Sequence, residues 1–207
     1  MTGFAPFDGA TVNSSWEAVQ ALDGEQIGGH SVVCAQLPTT FYVSLEQLME
    51  LVREHHPALI VCVGQASTRR VISLERVAIN VADARIPDNV GAQPIDKPVV
   101  SGGQPAYFTS LPIKAMLRDL TEAGLPAEVS QTAGTFVCNH LFYGLMHDLE
   151  RRRALTGVRG GFIHLPALDG DTAQAMPLQD MQRGLRIAIT SALATTQDVK
   201  IAAGSPV

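Results

Sequence analysis

Long apolar runs are missing from these 207 residues. No stretch approaches the roughly 20 residues that span a bilayer, and the opening MTGFAPFDGA has no charged segment followed by an apolar one. No membrane association is therefore expected, and the cytoplasm is the expected compartment. Positive charge is scarce as well. Lys and Arg total 15 against 20 Asp and Glu, the formal net charge is -5, and the signs are scattered. With no basic stripe to track a phosphate backbone, nucleic acid is not an expected partner. The one basic run, the arginines at 151–153, reads as a cluster complementing the dipole at a helix C-terminus. Cysteine is sparse too: Cys34, Cys62 and Cys138 are an odd number with no CxxC pair, which fits neither a disulfide framework nor a zinc site. No metal is expected.

What is present suits a large core under a modest polar skin, at 46% apolar and 17% charged residues. The length fits one domain over 1–207, and nothing reads as a linker. Short β-branched runs alternate with amphipathic segments. The runs predict strands over 30–37, 58–64, 71–82, 127–132 and 158–165, most of them apolar enough to be covered on both faces. Helices are predicted over 14–22, 44–56, 111–123, 138–152 and 178–194. Ser14 with Glu17 and Ser44 with Gln47 read as capping boxes, and Gly124 stands where a C-terminal glycine is expected. The order is that of an α/β fold, an open, twisted, mostly parallel central sheet with helices on both faces. Residues 83–110, dense in Pro, Gly, Asp and Asn, break the rhythm and predict a functional loop or short hairpin beside the site.

Open α/β sheets present their chemistry in the turns that lead from strands to helices. In AEVSQTAGTFVCNHLFYGLMHDL a strand ends near Thr132, a short turn follows, and Cys138 stands where the next helix begins. Such a terminus carries partial positive charge and free N–H donors, which favour a thiolate and can hold an oxyanion. Cys34 and Cys62 lie in apolar runs, HSVVCAQL and ALIVCVG, and read as small buried hydrophobes.

A thiol needs a base near neutral pH. His55 and His56 close a polar helix end before Pro57, His30 sits in a Gly-rich turn, and His140 and His147 share the cysteine's helix, with His140 on another side of it. His164 remains, at the end of the strand GGFIHLP. A carboxylate orienting the imidazole would complete a triad. Glu75 is the candidate because it interrupts the strand-like VISLERVAINVADA, where a charge is costly to bury without a partner. As an ordinary structural residue it would pair with Arg76 or Arg85.

TGFAPFDGATVNSSWEAV, VCVGQA, ERVAINVADARIPDN, TAGTFVCNHLFYGLMH and RGGFIHLP resemble, in order and spacing, the blocks of the pyroglutamyl peptidase type I (pyrrolidone-carboxylate peptidase) family over nearly the whole chain. The resemblance implies a thiol peptidase that removes N-terminal pyroglutamate from peptides without a cofactor, with Glu75, Cys138 and His164 at the matching catalytic positions. It also implies an apolar pocket for the lactam at Phe4, Phe7, Thr39, Ile86, Phe136 and Val137, with Gln65 and Arg85 supporting the pocket and oxyanion region. A homo-oligomer, commonly a tetramer, is implied as well. Three departures stand out. Only Met1 precedes the TGF block, which implies a very short first strand or a late start. Asp8 interrupts an FGG block, and Ser67 and Thr68 stand in place of the flexible glycines of a GQAGGR block that keeps Gln65. Two rivals compete with this reading: a nucleoside phosphorylase on a similar sheet, which would need phosphate-binding arginines and glycines, and an inactive protein that only binds pyroglutamyl peptides.

Overall fold

The computed structural model describes residues 1–168 and 175–204. In chain order the first half contains β1 (Thr2–Phe4), α1 (Ser14–Gln20), β2 (Gln26–Ile27), β3 (His30–Ser31), β4 (Ala35–Leu37), α2 (Val43–His55), β5 (Leu59–Gln65), β6 (Ile72–Glu75) and β7 (Val77–Ile79). The second half contains β8 (Ala106–Phe108), α3 (Ile113–Glu122), β9 (Ala127–Ser130), α4 (Val137–Arg151), β10 (Arg159–Leu165) and α5 (Leu178–Ala194). Six strands form one sheet in the order β4-β1-β5-β10-β6-β9. Every neighbouring pair is parallel except β10 with β6. The expected α/β architecture with a mostly parallel sheet is therefore present.

The two long central strands explain themselves. LIVCVGQ and RGGFIHL are apolar almost throughout because both faces are covered. On one face Val61, Val63, Ile163 and Leu165 join the cluster built from α1, α3 and α5. On the other, Ile60, Cys62 and Phe162 join the cluster built from α2 and α4. Each fully buried Val, Leu, Ile or Phe contributes about 1.5–3 kcal/mol relative to exposure. By the same alternation Gly64 and His164, partners in the β5–β10 register, face α4.

Several boundaries differ from the expectation. The run 30–37 splits into β3, which pairs only with β2, and β4, which joins the main sheet. The run 71–82 splits after Glu75, and β7 leaves to pair with β8 in a separate hairpin. Neither predicted capping box forms at its serine. Asn13 caps α1 by accepting from the Ser15 N–H, and α2 starts one residue before Ser44 with no side-chain cap. Gly124 does adopt the left-handed conformation after α3, at φ 76°. No helix among the described residues is long and apolar enough to cross a membrane.

Helix α3 takes its cap from far along the chain. Pro112 precedes it and has no side-chain acceptor, so the Asp198 carboxylate accepts from the Lys114 and Ala115 N–H groups at 3.0 and 2.9 Å. Replacing Asp198 by alanine should cost about 1 kcal/mol of stability, the usual worth of an N-cap. A lowered urea midpoint with an unchanged slope is the expected result, whereas an unchanged midpoint would show that water caps α3 as well as Asp198 does.

Candidate active site

Cys138 is the second residue of α4, whose N-cap is Phe136. The first N–H groups of a helix have no intrahelical partner, so the amide of Cys138 itself is available to a ligand. The neighbouring Asn139 is fully buried and fastens the helix start: its side chain donates to Ile79 O and Val81 O, each at 2.9 Å, and accepts from Ile79 N at 3.0 Å. The approach differs from the simple strand-to-helix turn expected from sequence. Because β6 and β9 run against β10, residues 131–136 must carry the chain across before α4 can lie over the sheet.

The sulfur of Cys138 ends up over β5. A Cβ built on Gly64 would lie 2.9 Å from Cys138 Sγ. Gly64 and His164 are register partners on strands about 4.8 Å apart, with their substituents on one face, so the thiol stands beside the imidazole. Glu75 reaches the same imidazole diagonally across the antiparallel β10–β6 pair, in which Ile163 opposes Leu74 and His164 opposes Ser73. Its Oε1 lies 2.7 Å from His164 Nδ1. A carboxylate accepts, so Nδ1 carries the proton and Nε2 is the nitrogen left for the thiol.

Glu75 is wholly buried and pairs with Arg69, whose Nη1 is 2.6 Å from the same Oε1, rather than with Arg76 or Arg85. Arg69 Nη2 also donates to the Thr132 carbonyl at 2.7 Å. Arg69 and Asn139 are polar residues that reading the sequence missed. Arg69 closes the altered GQASTR block, and that block was the only signal pointing to it.

Burial pushes the Cys138 thiol up to about 12, with the Glu75 charge adding to the rise and Arg69 and the cysteine's own N–H opposing it. The helix terminus alone therefore does not yield a thiolate at rest. Burial also raises Cys34 and Cys62, each to about 11. His140 is buried against Phe41 and Tyr42, with ring centroids at 5.5 and 4.8 Å, and burial lowers it to about 4, which keeps it neutral near pH 7. His30, His55 and His56 line a cavity of about 270 Å³ with Met1, Pro57 and Leu59, at the end of β5 remote from Gly64.

The residues expected around the lactam divide into groups. Phe7 and Phe136 are half-buried with centroids 6.1 Å apart, and Phe41, absent from the expectation, meets Phe136 edge-on at 5.3 Å. Thr39 is buried and donates to Ala5 O at 2.7 Å, which ties the end of β4 to the end of β1. Gln65 Oε1 accepts from Ser14 N at 2.7 Å, which orients its amide, and Nε2 has no hydrogen-bond partner among the described residues. Phe4 and Val137 are core residues, Phe4 stacking toward Phe162 at 6.4 Å. Ile86 is half-buried and Arg85 exposed. The segment carrying them is bound to the turn before Cys138, since Asp83 N donates to Thr135 O and Thr135 Oγ1 to Asp83 O, at 3.0 and 2.7 Å. The 83–110 region is thus a loop with a hairpin arm, beside the site. Among the described residues no group of His, Cys, Asp and Glu could hold a metal ion.

A family model described as pyroglutamyl peptidase matches residues 1–195. The pyrrolidone-carboxylate peptidase of Cupriavidus taiwanensis is 54% identical over 205 residues, covering 97% of this chain and 94% of the relative. The crystal structure of pyroglutamyl peptidase I from Bacillus amyloliquefaciens superposes with a TM-score of 0.92 at 48% identity, covering 96% of this chain and 97% of that one. A variant of pyrrolidone carboxyl peptidase from Pyrococcus furiosus gives a TM-score of 0.88 at 35% identity, covering 93% and 96%. These comparisons give no support to a nucleoside phosphorylase or to an inactive binding protein.

Proposed function

The chain belongs to the pyroglutamyl peptidase family and acts as a peptidase on pyroglutamyl peptides, and we propose that it does so with Cys138 as nucleophile, His164 as general base and acid, and Glu75 as the group that orients His164. The observation that carries the assignment is the seating of Cys138 Sγ over Gly64, beside an imidazole whose Nδ1 is held by a buried carboxylate.

In this mechanism the Cys138 thiol gives its proton to His164 Nε2 as the sulfur attacks the carbonyl joining pyroglutamate to the next residue. The oxyanion is held by N–H groups at the start of α4. His164 passes the proton to the leaving amine as the C–N bond breaks, and a thioester remains. Water then loses a proton to His164 and adds to the thioester. Pyroglutamate departs, and the proton returns to the sulfur. Glu75 stabilises the imidazolium at both stages.

The site is also suited to the substrate's charge. Pyroglutamate has a lactam where an ordinary N-terminus has an ammonium, so an apolar slot with a few amide partners suits it better than an acidic one. Phe7, Phe41 and Phe136 supply apolar wall, with Thr39, Ile86 and the oriented amide of Gln65 close by. Phe4 and Val137 support that wall from the core, and Arg85 sits at the exposed rim. Release of a fluorogenic amine is expected from its L-pyroglutamyl amide and not from the L-alanyl amide, which carries an ammonium. Equal turnover of the two would point to a general aminopeptidase instead.

Further readings accompany this one. All of 1–207 serves as one peptidase domain. The need for a free thiol suits a reducing compartment, and we assign the chain to the cytoplasm. A homo-oligomer, commonly a tetramer, is supported by exposed Val90, Ile95 and Phe108 on the 83–110 segment, and sedimentation is its measure.

A further inference from the structure

Arg69 lies where three parts of the site meet. It follows the tight turn closing β5, where its N–H donates to Ala66 O at 2.9 Å, shortly after the Gly64 seat of the nucleophile. One arm of its guanidinium binds the Glu75 oxygen that also accepts from His164, at 2.6 Å. The other arm binds the carbonyl of Thr132, at 2.7 Å, in the segment leading to Cys138. The second oxygen of Glu75 is buried with no hydrogen-bond partner among the described residues. Among the described residues Arg69 is thus the one cation paired with a carboxylate that is otherwise held only by the imidazole.

We propose that Arg69 is a positioning residue for the hydrolysis: its planar fork locks Glu75 to the Thr132 carbonyl, so that the carboxylate orienting the base and the segment presenting the nucleophile share one frame. The proposal rests on the triad reading above. A fixed fork suits this role better than a mobile ammonium, because two acceptors, one at the end of β6 and one in the segment after β9, must be held at once. The side chain is 21% exposed, so its charge is partly screened, and the geometric clamp is the larger part of its effect.

Charge gives the proposal a signature that simple packing lacks. The ionisable groups acting on the thiol are Glu75 from β6, Arg69 from the turn before it and Cys62 from β5, with His164 of β10 touching Glu75. Glu75 and Cys62 hold the proton on Cys138, and Arg69 opposes them. Removing a positive charge from beside the thiol makes it keep its proton to higher pH. The acid limb of kcat/KM should then move upward.

The test is the pH profile of L-pyroglutamyl amide hydrolysis by wild type, Arg69→Met, Arg69→Lys, Glu75→Gln and the Arg69→Met/Glu75→Gln double variant. Arg69→Met should lower kcat by about 10²-fold, the scale of a misplacement near 1 Å, with KM little changed. Its acid limb should move up by about one pH unit. Arg69→Lys keeps the charge, so its limb should stay in place while kcat recovers only in part. In the Glu75→Gln background, Arg69→Met should add little further loss, because the partner it clamps is no longer a carboxylate. Wild-type kcat in Arg69→Met, a loss with the limb unmoved, or an equal loss in the Glu75→Gln background would each overturn the proposal. If Arg69→Met does not fold, Arg69→Lys decides: a lowered kcat with an unmoved limb supports the clamp, and full activity refutes it. Absence of turnover by folded wild type would instead overturn the triad reading, so the two failures are distinguishable.

Discussion

Replacing Cys138 by alanine should lower turnover of an L-pyroglutamyl amide by on the order of 10⁴-fold or more, the scale seen when the nucleophile of a catalytic unit is removed. The interest lies in pairing this variant with His164→Ala. Burial leaves Cys138 with a thiol raised to about 12, no lower than Cys34 or Cys62 at about 11, so resting acidity does not distinguish the nucleophile. What distinguishes it is a base alongside. Iodoacetamide should therefore inactivate wild type by modifying Cys138, and His164→Ala should lose both turnover and rapid alkylation, although the thiol is still present. Peptide mass analysis after brief labelling reads this directly. If His164→Ala were alkylated at Cys138 as fast as wild type, the thiolate would not depend on His164, and the helix terminus with Arg69 would have to suffice.

The three catalytic candidates were legible because each breaks the pattern of its own segment. Cys138 follows a turn instead of sitting inside an apolar run, His164 ends a strand, and Glu75 interrupts one. Their meeting was less legible. It depends on β6 running against β10, which brings Glu75 diagonally to His164, and nothing in the VISLERVAINVADA run announces that direction or the break after Glu75. The same reversal of β6 and β9 makes the path into α4 longer than a simple strand-to-helix turn.

Residues that act by hydrogen bonding across the fold were hidden for a related reason. Arg69 and Asn139 find their partners at Glu75, Thr132, Ile79 and Val81, far from their sequence neighbours, so local spacing carries no trace of the contacts. Asn13 won the α1 cap over Ser14 because Ser14 turns inward, its hydroxyl donating to Pro166 O at 2.6 Å while its N–H meets Gln65. Tertiary bonding there overrode a valid local signature. The pocket positions mixed wall and core, since an aromatic residue reads alike in both settings: Phe7 and Phe136 are half-buried, and Phe4 lies in the α2–α4 cluster.

Gly64→Ala should lower turnover on the scale expected for loss of the Arg69 clamp, although the change adds one methyl and no polar atom. The new Cβ would lie 2.9 Å from Cys138 Sγ, 2.9 Å from Phe162 Cζ and 3.0 Å from Phe162 Cε1. Phe162 has little room to yield. It is fully buried, with Phe4, Phe142 and His164 around it at centroid distances of 6.4, 5.9 and 4.9 Å. The strand beneath is fixed on both sides by β1 and β10. The side chain of half-buried Cys138 is the group left to yield, and its displacement should carry the sulfur away from the imidazole. A displacement near 1 Å costs about 10²-fold in rate, so kcat should fall by that order while KM changes little. Overpacking should also cost about 1–3 kcal/mol of stability, which leaves a folded protein to assay. A folded Gly64→Ala variant with undiminished kcat would mean that the thiol does not need its seat on β5 to reach His164. The close approach of α4 to the sheet would then be packing alone, and the positioning of the nucleophile would rest on Asn139 and the Arg69 clamp.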